Sequence, residues 1–329
     1  MVDGESLILC NEAVSGQGED HYAAETDSLG GLLCVADGCG GIGSRRYAKL
    51  SQRTEAYMAA RLAVECAQTW ARGLDGRSLP QTAADAALCA RQLTQSLTRR
   101  FSEFQAENAN ETPSRVIMRG LQRTLPTTLC AALIDARAKE RLSCVFFWAG
   151  DSRGYVLTED GLKQCTADHL AAQTDALENL YRDSRLSNMV NADAPFRIDA
   201  YGLTTRKPCV VLTATDGAFG YLPTPMEFEL LLLRTLMGAS TLQGWKNRLQ
   251  RALRSLASDD STLVMACYGF SRFEEVKAYF APRRALLQQR YVTPVRRRRQ
   301  SIDFARGLWA EYRVGYELSE EVRHADWRL

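Results

Sequence analysis

The aspartates of this chain fall where apolar, strand-like runs stop. GLLCVADGCGG runs into Asp37, VVLTATDG into Asp216, and SDDSTLVMAC leaves from Asp259 and Asp260. FFWAGDSRGY sets Asp151 between two such runs, and Gly18-Glu19-Asp20-His21-Tyr22 places an acidic pair at the start of another. A single Asp-Gly after a strand is usually a turn and nothing more. Several acidic turns, each tied to an apolar strand, mean more, because packed strands ending on one edge would bring their carboxylates together. Like charges a few ångströms apart repel and raise one another's pKa. A hard divalent cation resolves that repulsion, and carboxylate, carbonyl and water oxygens suit Mg2+ or Mn2+ rather than zinc. Glycine after Asp37 and Asp216 allows tight turns and leaves a backbone carbonyl exposed for ligation. Two such cations about 4 Å apart are a recurring device for phosphoester hydrolysis.

The elements that must position these acids can be read from periodicity. Residues 7–10, 21–26 and 31–36 read as strands, the last one buried. Helical spacing follows over 47–71, with Leu50, Ala56, Met58, Leu62 and Cys66 facing a core, and again over 82–104, which is rich in strong helix formers. The polar stretch 107–126 gives no clear element. Strand signals return at 128–134, 142–148 and 154–158, while 166–207 is irregular. A buried strand at 209–213 runs into Asp216, helices follow at 224–237 (behind a Thr-Pro start) and 241–256, and 261–268 closes the strand set. Further helices are expected at 273–289 and 302–318. Strands, two helices, strands and helices again are not strict βαβ alternation, so the expectation is mostly antiparallel sheets covered by helices, an α+β layered architecture.

Composition narrows the field. A chain of 329 residues, 46% hydrophobic and 24% charged, is ordinary globular material and long enough to form a core without staples. The net charge of +2 gives no global field for nucleic acid or an anionic membrane. From Pro282 onward eleven Lys/Arg face six Asp/Glu, so an acidic body carries a basic tail that includes Arg296-Arg297-Arg298-Arg299. That run is expected to be solvated or to meet an acidic patch of the same chain. Of the ten cysteines, Cys34, Cys130, Cys144, Cys209 and Cys267 sit inside apolar runs as small hydrophobes, and no CxxC pair or zinc-type cluster occurs. There is no signal-peptide pattern and no uninterrupted apolar stretch of about 18 residues, so a cytoplasmic protein without a membrane span is expected.

One resemblance is specific. The ordered set Glu19-Asp20, Ala36-Asp37-Gly38-Cys39-Gly40-Gly41, Thr127-Thr128, Gly150-Asp151-Ser152-Arg153, Thr166-Ala167-Asp168-His169, Thr215-Asp216-Gly217 and Asp259-Asp260-Ser261-Thr262 resembles the metal-dependent protein phosphatases (PPM, protein phosphatase 2C), bacterial type. Order and approximate spacing match over residues 5–270; each motif alone is weak. The resemblance implies an α+β, four-layer α-β-β-α sandwich of two mostly antiparallel sheets flanked by helices, spanning 1–272, with a flap at about 166–207. Residues 273–329 would be a C-terminal helical, basic extension, docked through Trp309, Tyr312 and Tyr316. It further implies two Mn2+ or Mg2+ ions with a possible third. Asp37 would bridge two metals, Glu19 and the Gly38 carbonyl would complete one site, Asp216 and Asp259 the other, and Asp151 would join Asp216 around the third. Asp20 would support the ligands from behind, and Arg153 would hold its loop by a charge-assisted bond.

The implied chemistry is hydrolysis of phosphoserine or phosphothreonine in proteins by attack of a metal-bridged water, opposing a Ser/Thr kinase, with no nucleic-acid partner. Two departures stand out. Cys39 takes a place where some members have His or Met and reads as a small turn residue. Ser15 stands where members usually carry a phosphate-gripping Arg, so Arg45 and Arg46, near a helix start, are candidate phosphate-binding residues. Pro126 replaces a common Gly and reads as structural. His21 and His169 read as satisfied structural histidines. The rival reading is a pseudophosphatase, a phosphoprotein-binding or scaffolding module; it has no need of the full carboxylate set that this sequence keeps.

Overall fold

The computed structural model describes residues 2–74, 79–108, 123–172, 174–182, 184–298, 301–318 and 326–329. Its strands are β1 (Ser6–Asn11), β2 (His21–Asp27), β3 (Gly30–Ala36), β4 (Arg46–Tyr47), β5 (Arg53–Thr54) and β6 (Leu129–Asp135), then β7 (Arg141–Ala149), β8 (Arg153–Thr158), β9 (Gly161–Gln164), β10 (Asp199–Arg206), β11 (Cys209–Ala214) and β12 (Ser261–Tyr268). Its helices are α1 (Glu55–Arg72), α2 (Ala83–Glu107), α3 (Pro225–Met237), α4 (Leu242–Leu256), α5 (Phe273–Leu287), α6 (Thr293–Arg297) and α7 (Ile302–Tyr316). Two five-stranded sheets form, ordered β1-β12-β11-β8-β9 and β10-β7-β6-β3-β2, and neighbours within both are antiparallel.

The continuous apolar strands follow from burial on both faces. Side chains alternate across a strand, and in β3 Leu33 and Val35 enter the core between the sheets while Leu32, Cys34 and Ala36 meet α1 and α2. In β7 Phe146 and Trp148 point between the sheets, and Val145 and Phe147 point to the helices. On the second sheet Val211, Val264 and Ala266 face inward, whereas Leu212 and Met265 pack under α3 and α4. The result is the expected α-β-β-α layering.

Three boundaries differ from expectation. Helix α1 begins at Glu55, eight residues later than the spacing implies, because Ser51 and Gln52 adopt left-handed φ of 55° and 60° and turn 46–54 into the β4–β5 hairpin. Thr54 then caps the helix, accepting the Tyr57 N–H at 3.1 Å. Strand β10 lies inside the stretch read as irregular and pairs with β7 along all eight of its residues. The short β9 pairs with β8 just ahead of that stretch. The polar segment 107–126 is described only in part, since 109–122 lie outside the described residues, as does Arg299 of the arginine run.

The C-terminal helices share a core with the first sheet. Trp309, Tyr312 and Tyr316 are buried in the same cluster as Tyr155, Leu212 and Phe228. Glu229 of α3, fully buried, takes a bidentate bond from Arg283 of α5 at 2.6 and 2.9 Å and a hydrogen bond from the Tyr312 hydroxyl. Arg296 meets Glu227 the same way, so this member of the arginine run does contact an acid of the body. Farther on, Trp327 lies over Gly202 of β10, and Leu329 N–H donates to the Gln81 carbonyl at 3.0 Å. Among the described residues no helix is long and apolar enough to cross a membrane.

Candidate active site

Both sheets deliver acids to one edge, and a set of threonines fixes them there. Asp37 leaves β3 with its N–H donating to Thr128 Oγ1 at 3.0 Å, while its carbonyl accepts from the Thr128 N–H at 2.9 Å and the Thr127 hydroxyl at 2.7 Å. The Thr128 hydroxyl also pairs with Ser152 at 2.7 Å, which ties the Asp37 turn to the Asp151 turn. On the other sheet the Thr215 hydroxyl donates to Asp20 at 2.9 Å and accepts from the Thr262 N–H at 2.9 Å. Asp260 accepts the Glu19 N–H at 2.5 Å and the Ala13 N–H at 2.8 Å, so the residue beside Asp259 sets the position of Glu19. Two glycines are required by close approach: a Cβ on Gly40 would stand 2.0 Å from the Glu19 carboxylate, and one on Gly217 would stand 1.8 Å from the Asp260 carbonyl.

The carboxylates act on one another. Burial, then the charges of Asp20, Asp216, Asp151 and Asp259, hold the Asp37 carboxyl well above the usual range. Burial and Asp216 do the same to Asp151. Asp216 is raised by burial and by Asp259, and it shares a hydrogen bond with Asp37. Asp20 is pushed up to about 8, chiefly by burial. Glu19 is raised by burial, relieved by the Thr54 hydroxyl that bonds it and by the charge of Arg46. Glu19, Asp20, Asp37, Asp151, Asp216 and Asp259 therefore share one electrostatic site. The thiol of Cys39 is held in its neutral form by burial and by Asp37, Asp151, Asp216 and Glu19, which removes it as a nucleophile.

The basic and imidazole groups divide into buried bolts and cations nearer the surface. Arg153, 2% exposed, is clamped by Asp168 at 2.9 and 2.6 Å and lies 4.2 Å from the Phe219 ring, a charge-assisted hold on its loop. His169 is a structural bolt: its Nδ1 accepts from the Gly150 N–H at 3.1 Å and from Asn188 at 2.9 Å, leaving Nε2–H to donate to Asp199 at 2.9 Å. His21 is lowered to about 4 by burial and by Arg61, so it is neutral at pH 7. Arg45 is engaged with Glu55 at 3.4 Å. Arg46 is exposed, donates to the Gln52 carbonyl at 2.8 Å and pairs across the hairpin with Thr54, and directly paired residues project to the same side. That side is the one from which the Thr54 hydroxyl reaches Glu19.

Sequence reasoning missed Thr54, Arg53 and Asp199. Thr54 was findable as a helix cap. Arg53 bonds the Gly16 carbonyl at 2.8 Å, beside Ser15, and only the hairpin brings it there. Asp199 meets His169 through β10, a pairing without a local signal.

A cavity of about 190 Å³ opens beside Asp151 and Asp216, with Asn179, Arg182, Ser184 and Tyr221 among its walls. Among the described residues no three His, Cys, Asp or Glu side chains stand preformed in metal-ligating geometry. The donor chemistry nonetheless fits a hard divalent cation: the converging groups are carboxylates, and Asp20 Oδ1 is buried with no hydrogen-bond partner.

Comparisons with solved structures give the same fold. A serine/threonine phosphatase, Stp1, from Staphylococcus aureus is 18% identical with a TM-score of 0.56, covering 82% of this chain and 96% of its own. The PPM Ser-Thr phosphatase MsPP of Mycobacterium smegmatis, solved with cacodylate, is 16% identical at TM-score 0.54, over 80% of this chain and 98% of its own. The catalytic domain of the serine threonine protein phosphatase PstP, solved with two manganese ions, is 19% identical at TM-score 0.52, over 80% of this chain and 98% of its own. No protein-family model and no curated protein matches the sequence. The chain thus has the fold of the PPM phosphatases.

Proposed function

We propose that this chain is a cytoplasmic, metal-dependent protein serine/threonine phosphatase that opposes a Ser/Thr kinase. The observation that carries the reading is the gathering of half-buried Asp37, Asp151 and Asp216 at one edge of the sandwich, where Asp216 and Asp151 raise the Asp37 carboxyl and Asp216 raises that of Asp151. Gathering like charges in a partly dry site costs free energy, and a bound cation offsets that cost. The manganese in the PstP structure belongs to that protein, and it supports the choice of Mn2+ or Mg2+ here. Asp37 would lie between two ions, with Glu19 and the Gly38 carbonyl on one, Asp216 and Asp259 on the other, and Asp151 joining Asp216 at a possible third. When bound, such ions supply a water of lowered pKa and neutralise the charge on the phosphoryl oxygens.

The chain's own residues do the rest. Thr128, Thr54 and the Thr215–Asp20 pair hold the ligands in place, and Asp260 fixes the backbone of Glu19. Neutral His21 and protonated Cys39 give neither a nucleophile nor an acid near pH 7. With Ser15 in place of the usual Arg, Arg46 is the cation nearest in effect to Glu19, and it would grip the substrate phosphate. Arg46→Ala should raise KM for a phosphopeptide about threefold to tenfold with kcat little changed, the cost of one charge-assisted bond. An unchanged KM removes Arg46 from this role. Ser15 alone favours the scaffold reading, and that reading leaves the carboxylate cluster without a purpose. The deciding experiment is hydrolysis of a phosphopeptide and of p-nitrophenyl phosphate with and without Mn2+, by the wild type and by Asp216→Asn. Metal-dependent turnover lost in Asp216→Asn is expected; no metal-dependent turnover by the wild type overturns the enzyme.

A further inference from the structure

One wall of the cavity over Asp151 and Asp216 is held from outside by α7. Residues 174–182 contain a single short 3-10 turn at Glu178–Leu180, too little to fix themselves. Glu317, just past α7, accepts the Ala176 N–H, and Arg313 bridges Glu317 at 2.5 Å and Asp175 at 3.3 Å. The Asp175 carboxylate also accepts the N–H groups of Leu177 at 3.1 Å and Glu178 at 3.0 Å, so Arg313 grips the group that shapes the turn. Arg306 bonds Glu178 at 2.7 Å. Beneath these contacts Ala176 and Leu177 are buried in one cluster with Trp309, Tyr312 and Tyr316. From the far side of the turn Asn179 donates to Asp168 at 2.9 Å, the carboxylate that clamps Arg153 two residues beyond Asp151. Asn179, Leu180 and Arg182 line the cavity itself.

We propose that α7 is a fixed buttress of the substrate cleft, with Arg306, Arg313 and Glu317 as positioning residues that set the 174–182 wall against which the polypeptide around a phosphorylated side chain lies. The identity of what lies there rests on the phosphatase reading; the buttress does not. Each of these half-exposed ion pairs alone contributes little, but they converge on one short segment whose Ala176 and Leu177 are buried against the same helix. A small phosphoester occupies only the carboxylate edge, whereas a phosphopeptide must also meet the wall. The two substrates therefore separate a buttress from a general support of the fold.

The test uses the full chain and the double variant Arg306→Ala/Arg313→Ala, with the Arg→Lys double variant for rescue. In the metal-free protein, amide hydrogen exchange at Ala176–Leu180 should quicken by about tenfold while the strands keep their protection. KM for a phosphopeptide should rise about fivefold to tenfold, as the loss of two such pairs allows. Its kcat, and both constants for p-nitrophenyl phosphate, should stay near wild type, and the Lys variant should recover much of the loss. Unchanged exchange overturns the buttress, and so does an equal loss on both substrates, which is what simple destabilisation gives. If the wild type turns over neither substrate, the phosphatase reading has failed separately. Exchange and the phosphopeptide Kd by fluorescence anisotropy then decide the buttress alone, and no change in either rejects it.

Discussion

Asp37→Asn should abolish turnover and at the same time make the metal-free protein harder to unfold. Asp37 is half-buried and faces Asp20, Asp216, Asp151 and Asp259, each of which raises its pKa. An amide of the same shape removes a carboxyl whose charged form its neighbours disfavour, without opening a cavity. Without metal, the melting temperature should rise by about 2–4 °C for each kcal/mol of repulsion released. With Mn2+, the wild type should gain stability by mass action and the variant should gain little. Turnover should fall by about a thousandfold or more, several kcal/mol of barrier, because Asp37 is the ligand proposed to lie between two ions. Paired thermal melts with and without Mn2+, run beside the activity assay, check all three. A variant less stable than the wild type in the absence of metal would mean that the carboxylates stabilise the fold by their own hydrogen bonds, and the metal-centre argument would fail.

The second large effect lies far from the site. Arg283→Met should cost about 3–5 kcal/mol of folding free energy, because it strands the fully buried Glu229 carboxylate with only the Tyr312 hydroxyl as partner. Replacing both ends, Glu229→Leu with Arg283→Met, should recover most of that loss, since two well-packed apolar groups remove the desolvation cost together. The single variants are therefore strongly non-additive. Urea denaturation of the two single variants and the double variant measures the coupling. A loss below about 1 kcal/mol for Arg283→Met would show that water reaches Glu229.

The strands that end in acids were legible because both of their faces are buried, which leaves runs such as GLLCVA and VVLTA with no charged interruption. The layered class followed from the order of strands and helices, and a shared acidic edge was its consequence only if those strands packed in adjacent sheets. β10 was not legible. Its sequence DAYGLTTR keeps an outward polar side, and Gly202 in its middle makes room for Trp327, more than a hundred residues away. The start of α1 was lost for a similar reason: the apolar spacing runs through 47–54, but left-handed Ser51 and Gln52 fold that piece into a hairpin. The same hairpin sets both arginines, since it turns Arg45 toward Glu55 and holds exposed Arg46, bonded to the Gln52 carbonyl, on the side of Glu19. Local pattern carries the strands and the acids; pairings across distant positions carry the bolts, and no window of sequence holds them.

The pairing of β1 with β12 joins residues 6–11 to residues 261–266. During synthesis the first strand therefore leaves the ribosome some 250 residues before its hydrogen-bonding partner exists, and β11 waits as well. Contacts of such separation form slowly, and an unpaired strand edge is a template for pairing with another chain. Fragments ending ahead of residue 261 should accumulate as aggregates, while the same fragments supplied with a peptide of the β12 sequence should stay dispersed. The completeness of the first sheet thus rests on the last strand to be made.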